Sequence, residues 1–168
     1  MEGPVNKVAE SGIITLDLEK FYPSQELMEL DLKDFLFMEM LLKEKDFREK
    51  LEAADWIQYN GKIVAVHCST DAIIPMWAYM LVSSKLKGVA SEVYFGNKST
   101  AIEKAIEKNI LSIHEEEYKD KRVVVKGCGD IEIPSSAYLM ISQKLIPVVK
   151  SLMYGEPCST VPVYKQKK

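Results

Sequence analysis

The three cysteines are the residues of this chain with the widest range of chemistry. They lie in HCSTDAIIP (67–75), KGCGD (126–130) and EPCST (156–160), so the triplet Cys-Ser-Thr occurs twice. An odd number of cysteines excludes a complete set of disulfides, which leaves metal binding, catalysis or simple burial as roles for the thiols. No two cysteines form a CxxC pair, so their spacing alone does not choose among these roles.

The first hypothesis is a metal site formed by Cys68, Cys128 and Cys158. Three thiolates with a fourth ligand suit zinc or an iron-sulfur centre, because soft sulfur selects these metals and a closed tetrahedral set is stable. The fourth ligand would be water, a group from a partner, or one of the side chains His67, Asp71 and Asp130.

The second hypothesis is a thiol-dependent transferase with Cys68 as its nucleophile. Ser69, Thr70 and Asp71 follow this cysteine, and Asp130 follows Cys128; all of them are candidates for binding or orienting a substrate or cofactor. Hydroxyl and carboxylate groups before a helix are far more often caps for its free N–H groups, so we expect these residues to cap the helices that follow. In a third hypothesis the cysteines are incidental and the chain is a non-catalytic interaction or dimerisation module, for example a homodimer.

Composition indicates a globular protein that does not depend on disulfides. The 168 residues are 47% hydrophobic, which is enough to build the core of a single domain. The net charge of -3 comes from 22 basic and 25 acidic residues that are interspersed, without the basic stripe that binds nucleic acid. No apolar run approaches the roughly 18 residues of a membrane span, and no signal-peptide pattern is present. We therefore expect a cytoplasmic protein with reduced thiols and no membrane partner.

An internal repeat is the clearest structural signal. Residues 59–89 align without a gap to residues 118–148, at an offset that also pairs Gly96 with Gly155. The residues of the first copy that are identical in the second are Tyr59, Lys62, Val64, Val66, Asp71, Ile74, Pro75, Ala78, Tyr79, Ser83, Lys85, Leu86 and Val89.

Each copy has the pattern of a strand, a turn and a helix. A run of Val and Ile predicts a buried strand, small and acidic residues predict a turn, and a proline precedes a helix with an apolar face. Between the copies, residues 91–97 read as another strand and 101–114 as an amphipathic helix. Alternating strands and helices predict an α/β fold with a mainly parallel sheet between two helical layers.

The remaining segments complete a single predicted domain, 1–168. Residues 1–56 are expected to form an N-terminal hairpin, with ELMELD returning along GIITLDLEKFYP, followed by a helix at about 43–54. The repeat units are 59–96 and 118–155, and 156–168 is a C-terminal tail.

This organisation predicts where the cysteines lie. Cys68 and Cys128 each follow a predicted strand, at the edge where open parallel sheets bind ligands. If those strands are neighbours, about 4.8 Å separates their backbones and the thiols can share a ligand. Cys158 reaches the same place only if the tail runs back along the sheet. In the repeat Cys68 aligns with Gly127, so the repeated scaffold does not explain this cysteine.

Three motifs, CSTDAIIPMWAYML, VVVKGC and YGEPCSTVPVYK, together resemble the bacterial family known as domain of unknown function 2480, found mainly in Bacteroidetes. The resemblance extends over nearly the whole chain, from VNKVAESGIITLDLE onward. It implies no assigned activity. It does imply an association with genes of iron-sulfur cluster assembly, and hence iron-sulfur assembly proteins as partners and an accessory role in iron-sulfur or sulfur metabolism.

Overall fold

A computed structural model describes residues 12–127 and 129–167 and has an α/β architecture. The strands are β1 (Ile13–Asp17), β2 (Leu27–Asp31), β3 (Ile63–His67), β4 (Glu92–Phe95), β5 (Arg122–Lys126), β6 (Ser151–Glu156) and β7 (Ser159–Lys165). The α-helices are α1 (Glu44–Ala53), α2 (Met76–Leu86), α3 (Lys98–Leu111) and α4 (Ser135–Leu145). No helix in the described part of the chain is long and apolar enough to span a membrane.

The chain divides into two compact units. The continuous unit comprises residues 23–104, and the split unit comprises 1–22 together with 105–168. Helix α3 contains the point of division. The prediction of a single domain stays a prediction, because compactness of each unit does not measure whether either folds alone.

Each unit contains its own sheet, and the strands are mainly parallel. The order in the continuous unit is β2-β3-β4, and the order in the split unit is β1-β5-β6-β7. Among the strands of the described residues, every pairing is parallel except that of β6 with β7. The predicted α/β class with parallel strands is confirmed, although the strands form two sheets where the sequence suggested one.

The predicted N-terminal hairpin is wrong. Strand β1 pairs with β5 and β2 pairs with β3, so the two strands belong to different sheets. The physical reason lies at the carboxyl end of each strand, where an aspartate starts a 3₁₀ helix. The side chains of Asp17 and Asp31 each accept a hydrogen bond from the backbone N–H of the residue two positions further along the chain. These helices, Leu18–Phe21 and Leu32–Phe35, carry the chain away from the strand instead of folding it back.

Elements of the two units coincide at the offset of the sequence alignment. The bounds of β5 and α4 equal those of β3 and α2 shifted by that offset, and β6 begins at the residue that corresponds to the start of β4. Backbone hydrogen bonds match as well: Gly61 donates to Val89 at 2.9 Å in one unit, and Asp120 donates to Val148 at 2.9 Å in the other. Similar sequences have therefore built similar supersecondary structure in both units.

The core of the continuous unit forms where its central strand is buried on both faces. Ile63, Val64 and Ala65 are fully buried, as expected for a strand between two parallel neighbours. Leu51 and Phe47 of α1 and Val82 of α2 pack into the same core. This rigid centre holds the residues that follow β3 at the carboxyl edge of the sheet.

Candidate functional site around Cys68

Cys68 directly follows the central strand β3 and is half-buried. Its side chain packs against the hydrophobic core of the continuous unit. The thiol thus lies at the carboxyl end of a strand flanked by β2 and β4, which is where open parallel sheets place ligands. The predicted position of this cysteine at the strand end agrees with the structure.

One hydroxyl group contacts this thiol, and the pKa of a second responds to its charge. The Sγ atom of Cys68 is 3.4 Å from Oγ1 of Thr70, and either atom can be the donor of this hydrogen bond. Burial, and after it the charge that Cys68 can carry, raise the pKa of Tyr79 above its usual value. Tyr79 belongs to α2, and Thr70 belongs to the loop that follows β3.

Asp31 holds this loop in place from the neighbouring strand. Its Oδ1 atom accepts the backbone N–H of Ser69 at 3.0 Å and the backbone N–H of Lys33 at 3.1 Å. Burial raises the pKa of this carboxyl group, but hydrogen bonds lower it more. The net result is a pKa of Asp31 below its usual value, led by the side-chain hydrogen bond from Ser69 and assisted by the nearby His67.

A carboxylate also joins the end of β3 to the start of α3. Glu29 of β2 accepts the backbone N–H of Lys98 at 2.9 Å, and its Oε1 atom lies 3.7 Å from Nε2 of His67. A carboxylate at a helix N-terminus is favoured by the helix dipole. His67 is accordingly held close to Glu29 on the neighbouring strand.

The corresponding edge of the split unit has a different residue in the place of Cys68. There Gly127 follows β5, and Tyr138, the counterpart of Tyr79, donates its hydroxyl to the Gly127 carbonyl at 3.2 Å. Each tyrosine also forms an edge-to-face pair with an aromatic residue of the strand that follows its helix. The ring centroids are 5.5 Å apart for Tyr79 and Phe95, and 5.8 Å apart for Tyr138 and Tyr154. The aromatic scaffold is therefore shared by the two units.

Substitution of one residue on this scaffold changes the chemistry of the edge. A Cβ atom at Gly127 would collide with the hydroxyl of Tyr138 and approach its Cζ atom to 3.2 Å. A side chain at position 127 would therefore displace the Tyr138 hydroxyl from its hydrogen bond with the Gly127 carbonyl. The continuous unit has Cys68 at the corresponding position, so the two edges differ chemically at this residue.

The edge of the split unit is charged and adjoins an apolar cavity. Lys126 lies 3.8 Å from Asp17 and 3.6 Å from Glu156, one carboxylate on each neighbouring strand. The cavity has a volume of about 340 Å³, and Tyr138, Tyr154 and Val163 contribute to its wall. Its lining is largely apolar, as in pockets for small organic molecules.

Three other predicted site residues lie at exposed positions. Asp71 and Asp130 are exposed, as is Cys158, which lies in the turn between β6 and β7. Cys128 lies outside the described residues. Within residues 12–127 and 129–167, no three His, Cys, Asp or Glu side chains are grouped so that they could hold a metal ion.

The predicted capping role of the residues after the strands is wrong. Helices α2 and α4 begin after Pro75 and Pro134, and neither has a hydrogen bond from a capping side chain. The hydroxyl and carboxylate groups at 69–71 and 130 lie several residues before the first turn of the helix, so they cannot reach its free N–H groups. Thr70 instead contacts Cys68, and the backbone of Ser69 instead binds Asp31.

Sequence reasoning overlooked Asp31 and Tyr79 as parts of the site. A signal for Asp31 was present, because TLDLEKF (15–21) and ELDLKDF (29–35) are similar and both place aspartate at the strand end. The helical spacing of Tyr79 predicts only a residue of the core. Its place near the thiol follows from how α2 packs on the sheet, which no local pattern encodes.

Comparison with known proteins identifies a family without an activity. A family model described as protein of unknown function (DUF2480) matches residues 2–166, which confirms the resemblance drawn from the sequence motifs. No curated protein and no solved structure is significantly similar to the chain.

Proposed function

Because the chain belongs to the DUF2480 family of proteins of unknown function, we propose its function from the geometry around Cys68, which supports thiol-dependent group transfer best. The observation that carries the proposal is the contact of 3.4 Å between the Cys68 thiol and the Thr70 hydroxyl at the end of the central strand. A nucleophilic thiol needs access on one side and fixed polar neighbours on the other. Cys68 meets both needs, since it is half-buried and its thiol contacts the Thr70 hydroxyl.

The transfer step uses few groups of the protein. After its proton has passed to solvent, the Cys68 sulfur attacks the carbonyl carbon of a thioester, or the outer sulfur of a persulfide. The new bond to Cys68 forms as the bond from the transferred group to the donor sulfur breaks, and the donor leaves as a thiolate. Thr70 orients the attacking sulfur, and Asp31 acts at one remove by holding the loop through the N–H of Ser69.

The second Cys-Ser-Thr triplet supplies a matched control for a test of this proposal. The protein is incubated separately with a small acyl thioester and with inorganic polysulfide, and the adducts are located by intact mass and peptide mapping. We expect the adduct on Cys68, and we expect Thr70→Val to slow its formation by about tenfold, the value of one hydrogen bond of roughly 1.4 kcal/mol. Thr160→Val, in the second triplet, should leave the rate unchanged. Equal labelling of Cys68 and Cys158, or an unaltered rate in Thr70→Val, would contradict the proposal.

A second candidate function is binding of zinc or an iron-sulfur species by Cys68, Cys128 and Cys158, accessory to iron-sulfur or sulfur metabolism and in contact with iron-sulfur assembly proteins. One observation favours it. The hairpin turn that carries Cys158 lies at the carboxyl end of β6, and β5, the strand that precedes Cys128, is parallel to β6 and ends at the same edge. Both sequence segments therefore lead to one edge of the split unit. We propose that the protein lies in the reducing cytoplasm, where these thiols stay available to a metal.

Metal analysis separates the two candidates. Protein purified without chelator, once in air and once anaerobically, should contain stoichiometric metal that is lost on Cys158→Ser and retained on Thr160→Val. Three freely alkylated thiols and no stoichiometric metal in either preparation would refute metal binding and leave the transfer proposal intact.

A further inference from the structure

The two units differ at the edge strand that follows each repeated helix. In the split unit β6 is covered on its outer side by the antiparallel strand β7. In the continuous unit the corresponding strand, β4, is the last strand of its sheet, with no further strand beyond it among the described residues. An uncovered edge strand is a template for pairing with another strand.

The side chains of β4 have the exposure expected when a covering strand is missing. Val93 is 37% exposed, whereas its counterpart in the split unit, Leu152, is 1% exposed. Phe95 is 67% exposed and its counterpart Tyr154 is 38% exposed. The side chains of β6, which has β7 beside it, are thus more buried than their counterparts on β4, which has no strand there among the described residues.

The backbone of β4 is oriented to accept a partner strand. Gly96 donates its N–H to the carbonyl of Val66 on β3 at 3.0 Å. Backbone groups alternate between the two sides of a strand, and Val93 and Phe95 are out of phase with Gly96. The N–H and C=O groups of Val93 and Phe95 therefore point to the outer edge of the sheet.

The apolar surface beside this edge extends onto α2. Met76 and Met80 are 70% and 72% exposed and are one turn apart on the helix. Met80 and Val93 line the same open groove, of about 420 Å³, and Phe95 contacts Tyr79 of α2. Several exposed apolar side chains close to an open strand edge are typical of a surface that contacts a partner.

We propose that β4 pairs with β4 of a second copy of this chain across a two-fold axis, so that the two continuous-unit sheets join into one. With Tyr94 at the axis, Val93 of one copy lies opposite Phe95 of the other. Both residues direct their backbone groups outward, so each donates and accepts a hydrogen bond across the pair. The same axis brings together the exposed Met76 and Met80 of the two α2 helices.

The charges of β4 are compatible with a second copy as the occupant. The segment EVYF of β4 contains one charged residue, Glu92, and in this register Glu92 lies opposite Gly96 of the other copy. Pairing therefore places no like charges opposite each other, which would destabilise a strand pair. An isologous interface of this kind closes as a dimer and cannot extend into a fibre.

The oligomeric state of the full chain tests the proposal. For the wild-type chain, light scattering after gel filtration should give twice the mass of the monomer. The Val93→Lys variant should give the mass of the monomer, because dimerisation would bury an unpaired charge and reduce the dimer affinity by more than about 100-fold. Leu139→Lys is the matched control, because Leu139 is the counterpart of Met80 in the split unit and is 67% exposed. It should remain dimeric.

A cross-link tests the register independently of any loss of folding. In a background with serine at the three native cysteine positions, Tyr94→Cys should form a disulfide-linked dimer under mild oxidation, since Cα atoms of directly opposed, non-hydrogen-bonded residues lie about 4.5 Å apart. Leu139→Cys in the same background should not. A folded wild-type chain that is monomeric, including one that binds a strand of another protein at β4, would overturn the proposal, as would dimers that form equally well with Val93→Lys.

Discussion

Replacing Asp31 should weaken the continuous unit and loosen the loop of Cys68 at the same time. The Oδ1 atom of Asp31 accepts two backbone N–H groups, that of Lys33 at 3.1 Å and that of Ser69 at 3.0 Å. The side chain is only 17% exposed, so water cannot fully replace these bonds. A hydrogen bond to a charged group is worth about 1.5–3 kcal/mol, and we expect Asp31→Ala to lower the free energy of unfolding by about 3 kcal/mol.

The control variant Asp31→Asn isolates the contribution of charge. Asparagine keeps an acceptor oxygen at the Oδ1 position and loses the ion pair with Lys33, which is 3.8 Å long. We expect Asp31→Asn to cost about 1 kcal/mol at neutral pH, because neutral acceptors form bonds about half as strong. The pKa of Asp31 is lowered in the folded protein, so its contribution is present above the unfolded value near pH 4 and is lost as the pH falls through the folded value. The difference between wild type and Asp31→Asn should therefore vanish in strong acid.

Tryptophan fluorescence measures this effect in the correct unit. The protein has 2 tryptophans, Trp56 and Trp77, and both belong to the continuous unit. With a urea dependence of about 2 kcal/mol per M, Asp31→Ala should lower the midpoint by about 1.5 M and Asp31→Asn by about 0.5 M. A midpoint for Asp31→Ala within about 0.3 M of wild type, or equal loss in the two variants, would refute the assigned role of Asp31.

Two further predictions concern the same unit. Met38 and Glu39 both have positive φ, 51° and 60°, in the tight turn that pairs Phe37 with Leu41. Because asparagine and glycine adopt positive φ at lower cost, the double variant Met38→Asn, Glu39→Gly should raise the free energy of unfolding by about 1 kcal/mol in urea titrations. No gain would show that the turn is unstrained. Burial and the hydrogen bond with Glu92 raise the pKa of Tyr94 in the folded protein, so its contribution to stability is complete below about pH 10 and is lost as the pH rises. Urea midpoints measured up to pH 11 should fall less steeply for Tyr94→Phe, and parallel curves would contradict this.

Local pattern was sufficient for the repeated elements and insufficient for their pairing. The Val-rich runs and the prolines at 75 and 134 predicted β3, β5 and the helices after them, because burial on both faces and helix initiation are local properties. The strand that pairs with β1 could not be predicted from local pattern. Its segment resembles that of β2, and only the tertiary structure shows that β1 joins the split unit while β2 joins the continuous one.

For the candidate site, the sequence by itself determined that Cys68 follows a strand, lies outside the repeated scaffold and is followed by Ser69 and Thr70. Only the tertiary structure decided which groups surround the thiol. Asp31 reaches the loop from β2, which depends on strand order, and the charge of Cys68 helps to raise the pKa of Tyr79 on α2, which depends on how that helix packs against the sheet. Such contacts join residues that are distant in the chain, and their energies belong to the folded arrangement instead of to any short segment of sequence.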